Sequence, residues 1–167
     1  MAGPFPLDRR LAIQGYATGA GCDLASLAAG ARFAPALCAI GAAAGTVLQS
    51  PLLLGAMMVL AFAGAATSRH PFDHLWNAAL RKPVGRPPLL PNGAPRRFAC
   101  GLGTAWLAAT IVAFLAGWEV AAFVLGLSMT AVAALVATTH VCLPSIVYAL
   151  LFRHGEGLPF GRAGAAP

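Results

Sequence analysis

The placement of the cations constrains this chain most. All eleven Lys and Arg residues lie outside four apolar runs. Arg9, Arg10 and Arg32 precede the first run. Arg69, Arg81, Lys82, Arg86, Arg96 and Arg97 separate the second from the third, and Arg153 and Arg162 follow the fourth. The two remaining breaks, Gln49-Ser50-Pro51 and Trp118-Glu119, carry no Lys or Arg. Apolar runs with cations on alternate connections predict a multi-pass helical membrane protein whose basic connections face the cytoplasm. Both termini and the long central loop are therefore expected in the cytoplasm.

Composition agrees. Charged residues make up only 10% and hydrophobic ones 59% of the chain, whereas a soluble domain carries about 25% charged residues. The net charge of +6 does not point to nucleic acid, because the cations flank apolar runs instead of forming a polar domain. It fits orientation and attraction to anionic head groups. The stretch from Leu11 to Gly21 is too polar for a signal-peptide core, so the first apolar run is expected to direct insertion itself.

The expected fold is all-α, with four transmembrane helices arranged as two tandem hairpins. The spans are expected at about 32–49, 51–67, 98–117 and 120–141, after an arm over 1–30 and before a flexible tail over 154–167. The first two runs are short for a hydrocarbon core about 30 Å thick, which Arg32 and Arg69 can ease by snorkelling. Gly41 and Gly45 form a GxxxG pattern suited to close helix packing. Between the hairpins, residues 71–82 predict an amphipathic interfacial helix led by Pro71. Phe72, Leu75, Trp76, Ala79 and Leu80 share one face, and Asp73, His74, Asn77 and Arg81 the other. Phe72, Trp76, Arg81, Lys82 and Trp118 are the expected membrane-interface anchors.

The chain also repeats itself. Arg32-Phe33-Ala34-x-x-Leu37 recurs as Arg97-Phe98-Ala99-x-x-Leu102. Each copy opens a hairpin from the same side, so the repeat would be parallel.

Few residues suggest chemistry. Cys22, Cys38, Cys100 and Cys142 are scattered and show no zinc spacing; they read as small hydrophobes. His70 and His74 have the i, i+4 spacing that metal sites use, but Pro71 interrupts it, and no metal is predicted. His140 with Cys142 is a candidate redox or ligand pair near the end of the fourth span. Glu119 reads as a solvated cap. No nucleophile–base pair, phosphate loop or dinucleotide fingerprint is present, so a catalytic role is not favoured.

The Pro71 segment, Arg86-Pro87, and Pro95-Arg96-Arg97-Phe98-Ala99 opening the second hairpin resemble an uncharacterised bacterial membrane family, domain of unknown function 4395. The resemblance covers roughly residues 30–153. That family typically ends its last span with Cys-Leu-Gly-Cys, where this chain has Cys142-Leu143-Pro144-Ser145. The resemblance implies a partnership with thioredoxin-like or sulfurtransferase modules, but a single cysteine cannot cycle alone between dithiol and disulfide.

Three functions follow as expectations. The first is a non-catalytic accessory or scaffold subunit, packed in the lipid bilayer against other subunits of a respiratory or photosynthetic complex. The second is a redox or cofactor-handling membrane protein using Cys142 and His140, or His70 and His74. No cofactor is predicted outright; a haem, a chlorophyll-type pigment or a quinone are the contacts this second role would involve. The third is a small transporter lined by Thr46, Thr104, Thr110, Ser128 and Thr130.

Overall fold

A computed structural model describes residues 6–16 and 24–152, with side chains from Ser26 onward in the second stretch. The expected tail, Arg153, Arg162 and Cys22 lie outside the described residues. The regular elements among the described residues are helices: α1 Leu7–Ile13, α2 Leu24–Val47, α3 Pro51–Ala66, α4 Pro71–Leu75, α5 Ala94–Leu115, α6 Glu119–Thr139 and α7 Leu143–Phe152, with a π-helical turn after α4. The protein is an all-α integral membrane protein. Three of its helices, α2, α5 and α6, are long and apolar enough to cross a bilayer alone. With 16 residues, α3 is only about 24 Å long. It qualifies as a fourth span only together with the α4 segment, from which it is bent by 82°.

α2, α3, α5 and α6 pack as a four-helix bundle. α2 and α3 join through Leu48–Ser50, where the Ser50 hydroxyl accepts from Leu53 N–H at 3.3 Å and Pro51 opens α3. α5 and α6 join through Ala116–Trp118, with Gly117 in the left-handed region. The broadest contacts run between the hairpins: α2 lies mainly on α6, and α3 on α5. Small residues permit these contacts. Gly126 of α6 faces Thr46 of α2 so closely that a Cβ there would overlap the Thr46 side chain. Within the first hairpin, Gly41 and Gly45 receive Met57 and Leu54 of α3. The outward surface is apolar on every side; Ile40, Val59, Val112 and Val124, one from each bundle helix, are about 60% exposed, as lipid contact requires.

The hairpins also close each other's ends. Arg32, on α2, donates from Nε to His140 Nε2 at 2.8 Å and from Nη2 to Thr138 O at 3.3 Å, at the end of α6. Arg97, on α5, donates to Ala65 O at 2.9 Å and Ala66 O at 3.2 Å, at the end of α3. A guanidinium at a helix C-terminus meets carbonyls that have no partner within the helix.

A second, smaller core lies beyond the bundle at this basic end. Leu11, Tyr16, Leu27, Ala31, Trp76 and Leu89 form it. α4 runs into a π-helical turn over Trp76–Leu80, closed by Arg81 N–H on Trp76 O at 3.0 Å. The non-helical stretch that follows is stapled back by Asn77, whose amide accepts from Leu89 N–H at 2.7 Å and donates to Leu89 O at 3.3 Å. Trp76 is 8% exposed and its ring lies 5.6 Å from that of Phe33. Of the five residues expected on one face, Trp76 alone is buried; Phe72 is half-buried, and Leu75, Ala79 and Leu80 are exposed.

Candidate functional site

The basic end holds a buried polar cluster built by three elements. Beyond the Gln14 cap of α1 comes Gly15, whose positive φ turns the chain so that Tyr16 N–H reaches Leu11 O at 3.2 Å. This is the glycine C-cap geometry. Gly15 packs directly on Gly93, which brings Tyr16 to the start of α5. There Arg96 donates from Nη1 to the Tyr16 hydroxyl and from Nη2 to Asp73 Oδ1 at 3.0 Å. Asp73 is fully buried. It sits at the start of α4 because His70 and Asp73 cap that helix reciprocally: Phe72 N–H donates to His70 Nδ1 and His70 N–H to Asp73 Oδ2, each at 3.3 Å. His70 Nδ1 is thus an acceptor, and the ring is neutral. Burial pushes the Tyr16 phenol up to about 12 against the pull of Arg96, so it too is neutral.

Above this cluster lies a cavity of about 370 Å³. Its inner wall is Ala34, Pro35 and Cys38 of α2, with Cys100 and Gly103 of α5. Met129 and Val136 of α6 continue it, and Cys142 lies at its edge. Three cysteines, far apart in sequence, therefore meet around one space. Gln14, His70 and Arg96 form its polar end. The opposite rim contains Leu102 and Trp106 of α5 and Leu143 and Val147 of α7, which are 40% to 46% exposed. These residues belong to the apolar outer surface of α5 and α7, so the cavity reaches that surface there.

α7 roofs the cavity. Pro144 opens it, Ser145 donates to Pro95 O at 3.4 Å, and Tyr148 stacks on Phe98 at 5.5 Å. The link from α6 to α7 turns on His140, a non-glycine residue in the left-handed region with φ 58°. Several bonds hold it: Gln14 donates to His140 O at 2.7 Å, Arg10 to Thr139 O at 2.9 Å, and Arg32 to His140 Nε2. Burial, then Arg32 and Arg10, holds the imidazole down at about 4.

The expected pairs separate. His140 turns toward Arg32, whereas Cys142 lines the cavity. His70 is buried and His74 exposed. Among the described residues no three His, Cys, Asp or Glu side chains are grouped to hold a metal. Phe72 is half-buried, Arg81 donates to Asn77 O at 2.9 Å, Lys82 is exposed, and Trp118 stands out from its turn at 66% exposure. The hydroxyls expected to line a transport path bond back to their own helices instead: Thr46 to Ala42 O, Thr104 to Cys100 O, Thr110 to Trp106 O, Ser128 to Leu125 O and Thr130 to Gly126 O. Sequence reasoning missed Asp73, Arg96, Tyr16 and Gln14. The only signal was an Asp two residues after Pro71, at a helix start.

No curated protein and no solved structure matches the chain. A sequence family described as Domain of unknown function (DUF4395) matches residues 28–153, which take in the bundle, the cavity walls and the Asp73–Arg96 pair. The chain belongs to that family.

Proposed function

We propose that this protein binds a small lipophilic molecule inside the membrane, in the cavity between α2, α5, α6 and α7. This is the cofactor-handling reading, and one observation carries it: a space of about 370 Å³ with apolar walls and one polar end. Ligand pockets are typically about 300–1,000 Å³, mostly apolar, with a few convergent polar groups. An opening at the apolar outer surface suits a ligand dissolved in lipid. The three cysteines are read as small apolar wall residues. The accessory-subunit reading needs a docking face, and the evenly apolar outer surface favours lipid all round.

In this reading the basic end lies in the cytoplasm of a bacterial inner membrane. Support comes from the nine described Lys and Arg residues, which all belong to α1, to the first turns of α5, to the lower part of α2 and to the α3–α5 connection. We also read the hairpins as an internal duplication, supported by the reciprocal contacts of Arg32 and Arg97.

The test is extraction. Protein purified in mild detergent should release a lipophile into organic solvent at near one per chain by mass spectrometry. Gly103→Leu, which fills the cavity, should lose it. A wild-type preparation with no such molecule, and no thermal stabilisation by native lipid extract, would end this reading.

A further inference from the structure

We propose that the occupant of the cavity is a neutral lipophile whose carbonyl oxygen accepts from the Arg96 guanidinium. This rests on the ligand-cavity reading above and adds the chemistry of the head.

Arginine offers five N–H donors. Tyr16 and Asp73 take two of those of Arg96. Both of its terminal nitrogens are thus partnered, and Arg96 also forms part of the cavity wall. A carbonyl oxygen at its remaining N–H groups would gain a charge-assisted hydrogen bond, roughly twice as strong as a neutral one. An occupant with an oxygen at this end is therefore favoured.

Charge decides which oxygen. Arg96 is already neutralised by Asp73, whose carboxylate is 3.0 Å away and almost wholly inaccessible. His70 accepts from Phe72 N–H and is uncharged, and Gln14 is uncharged. The polar end therefore carries no net charge. A carboxylate head would bring one uncompensated negative charge into a dry site, which is strongly unfavourable. A plain hydrocarbon would leave the donors unmet. A ketone, quinone or ester carbonyl supplies an acceptor without a charge, and the apolar walls around Met129 and Val136 take its chain.

The protein in lipid nanodiscs would be titrated by calorimetry, with empty nanodiscs as reference, using decyl-benzoquinone, methyl dodecanoate, dodecanoate and dodecylbenzene. The expected result is that a carbonyl probe binds at least about tenfold tighter than dodecylbenzene or dodecanoate, a step of about 1.4 kcal/mol. Whichever of the quinone and the ester binds more tightly identifies the carbonyl source. The double variant Arg96→Met with Asp73→Asn, which keeps the site neutral, should bring the carbonyl probe down to the hydrocarbon's affinity and leave dodecylbenzene unchanged. Arg96→Lys keeps the ion pair and should fall between. Equal binding of hydrocarbon and carbonyl, tighter binding of dodecanoate, or no effect of the double variant would overturn the proposal while the cavity stands. Binding of none of the four would sink the cavity reading itself. A measurement on the wild type alone is also decisive: the infrared stretch of a ¹³C-labelled probe carbonyl should drop in frequency on binding, and an unshifted band refutes the contact.

Discussion

Removing the Asp73 carboxylate should be among the most damaging single changes in this protein. Asp73 is fully buried. One oxygen takes Arg96 Nη2 at 3.0 Å and the other takes His70 N–H at 3.3 Å. In Asp73→Ala the guanidinium, 10% accessible, keeps only the neutral Tyr16 hydroxyl. Breaking a buried pair from one side costs about 3–5 kcal/mol, and the lost helix cap adds about 1 kcal/mol. Together these approach the whole stability of a small domain. The same physics makes the double variant informative. With Asp73→Ala and Arg96→Met together no charge is left stranded, and the loss should be smaller than for Asp73→Ala alone. Reversible unfolding of helix signal in mixed micelles, titrated with denaturing detergent, measures both of these variants and Arg96→Met alone. The reasoning fails if Asp73→Ala costs under about 1 kcal/mol, or if the double variant loses the sum of the two single changes, which would mean no coupling.

Other outcomes follow from single contacts. Gly126→Ala places a Cβ into the Thr46 side chain and should destabilise the α2–α6 contact by about 1–3 kcal/mol, whereas Gly55→Ala, on α3 with open space around it, should stabilise by about 0.5–1 kcal/mol; the same unfolding titration compares them. His140 is held neutral, with its folded value lowered from 6.5 to about 4. The unfolded chain therefore takes up that proton first, and stability present above pH 6.5 should decline as pH falls toward 4. His140→Gln should remove that part of the slope in melts run across this range.

The membrane class was written plainly in the sequence, because cations cannot be tolerated along a lipid-facing helix and their positions mark where helices end. The helix start at Pro71 was equally visible, since proline's missing donor is harmless only in a first turn; the same signal at Pro95 was not used, and α5 starts at Ala94, before the expected 98. What periodicity cannot say is which medium a face meets. Trp76 and Phe72 share a stripe, but whether it touches lipid or protein depends on Leu89 and Phe33 arriving from elsewhere. Asp73 falls on the polar side of the same helix and looks solvated until Arg96, 23 residues on, is brought beside it. The cavity was hidden for the same reason: Cys38 and Cys100 lie on two separate helices and Cys142 in the link before α7, and nothing in their spacing foretells a common wall. His140 and Cys142, two residues apart, looked like partners, but the left-handed turn at His140 sends them different ways.

The crossed guanidinium contacts leave each half of the bundle incomplete without the other. The carbonyls of Ala65 and Ala66 are met by Arg97 of the second half, and that of Thr138 by Arg32 of the first. A chain cut between the hairpins would therefore give two fragments, each offering helix-end carbonyls to an arginine of the other.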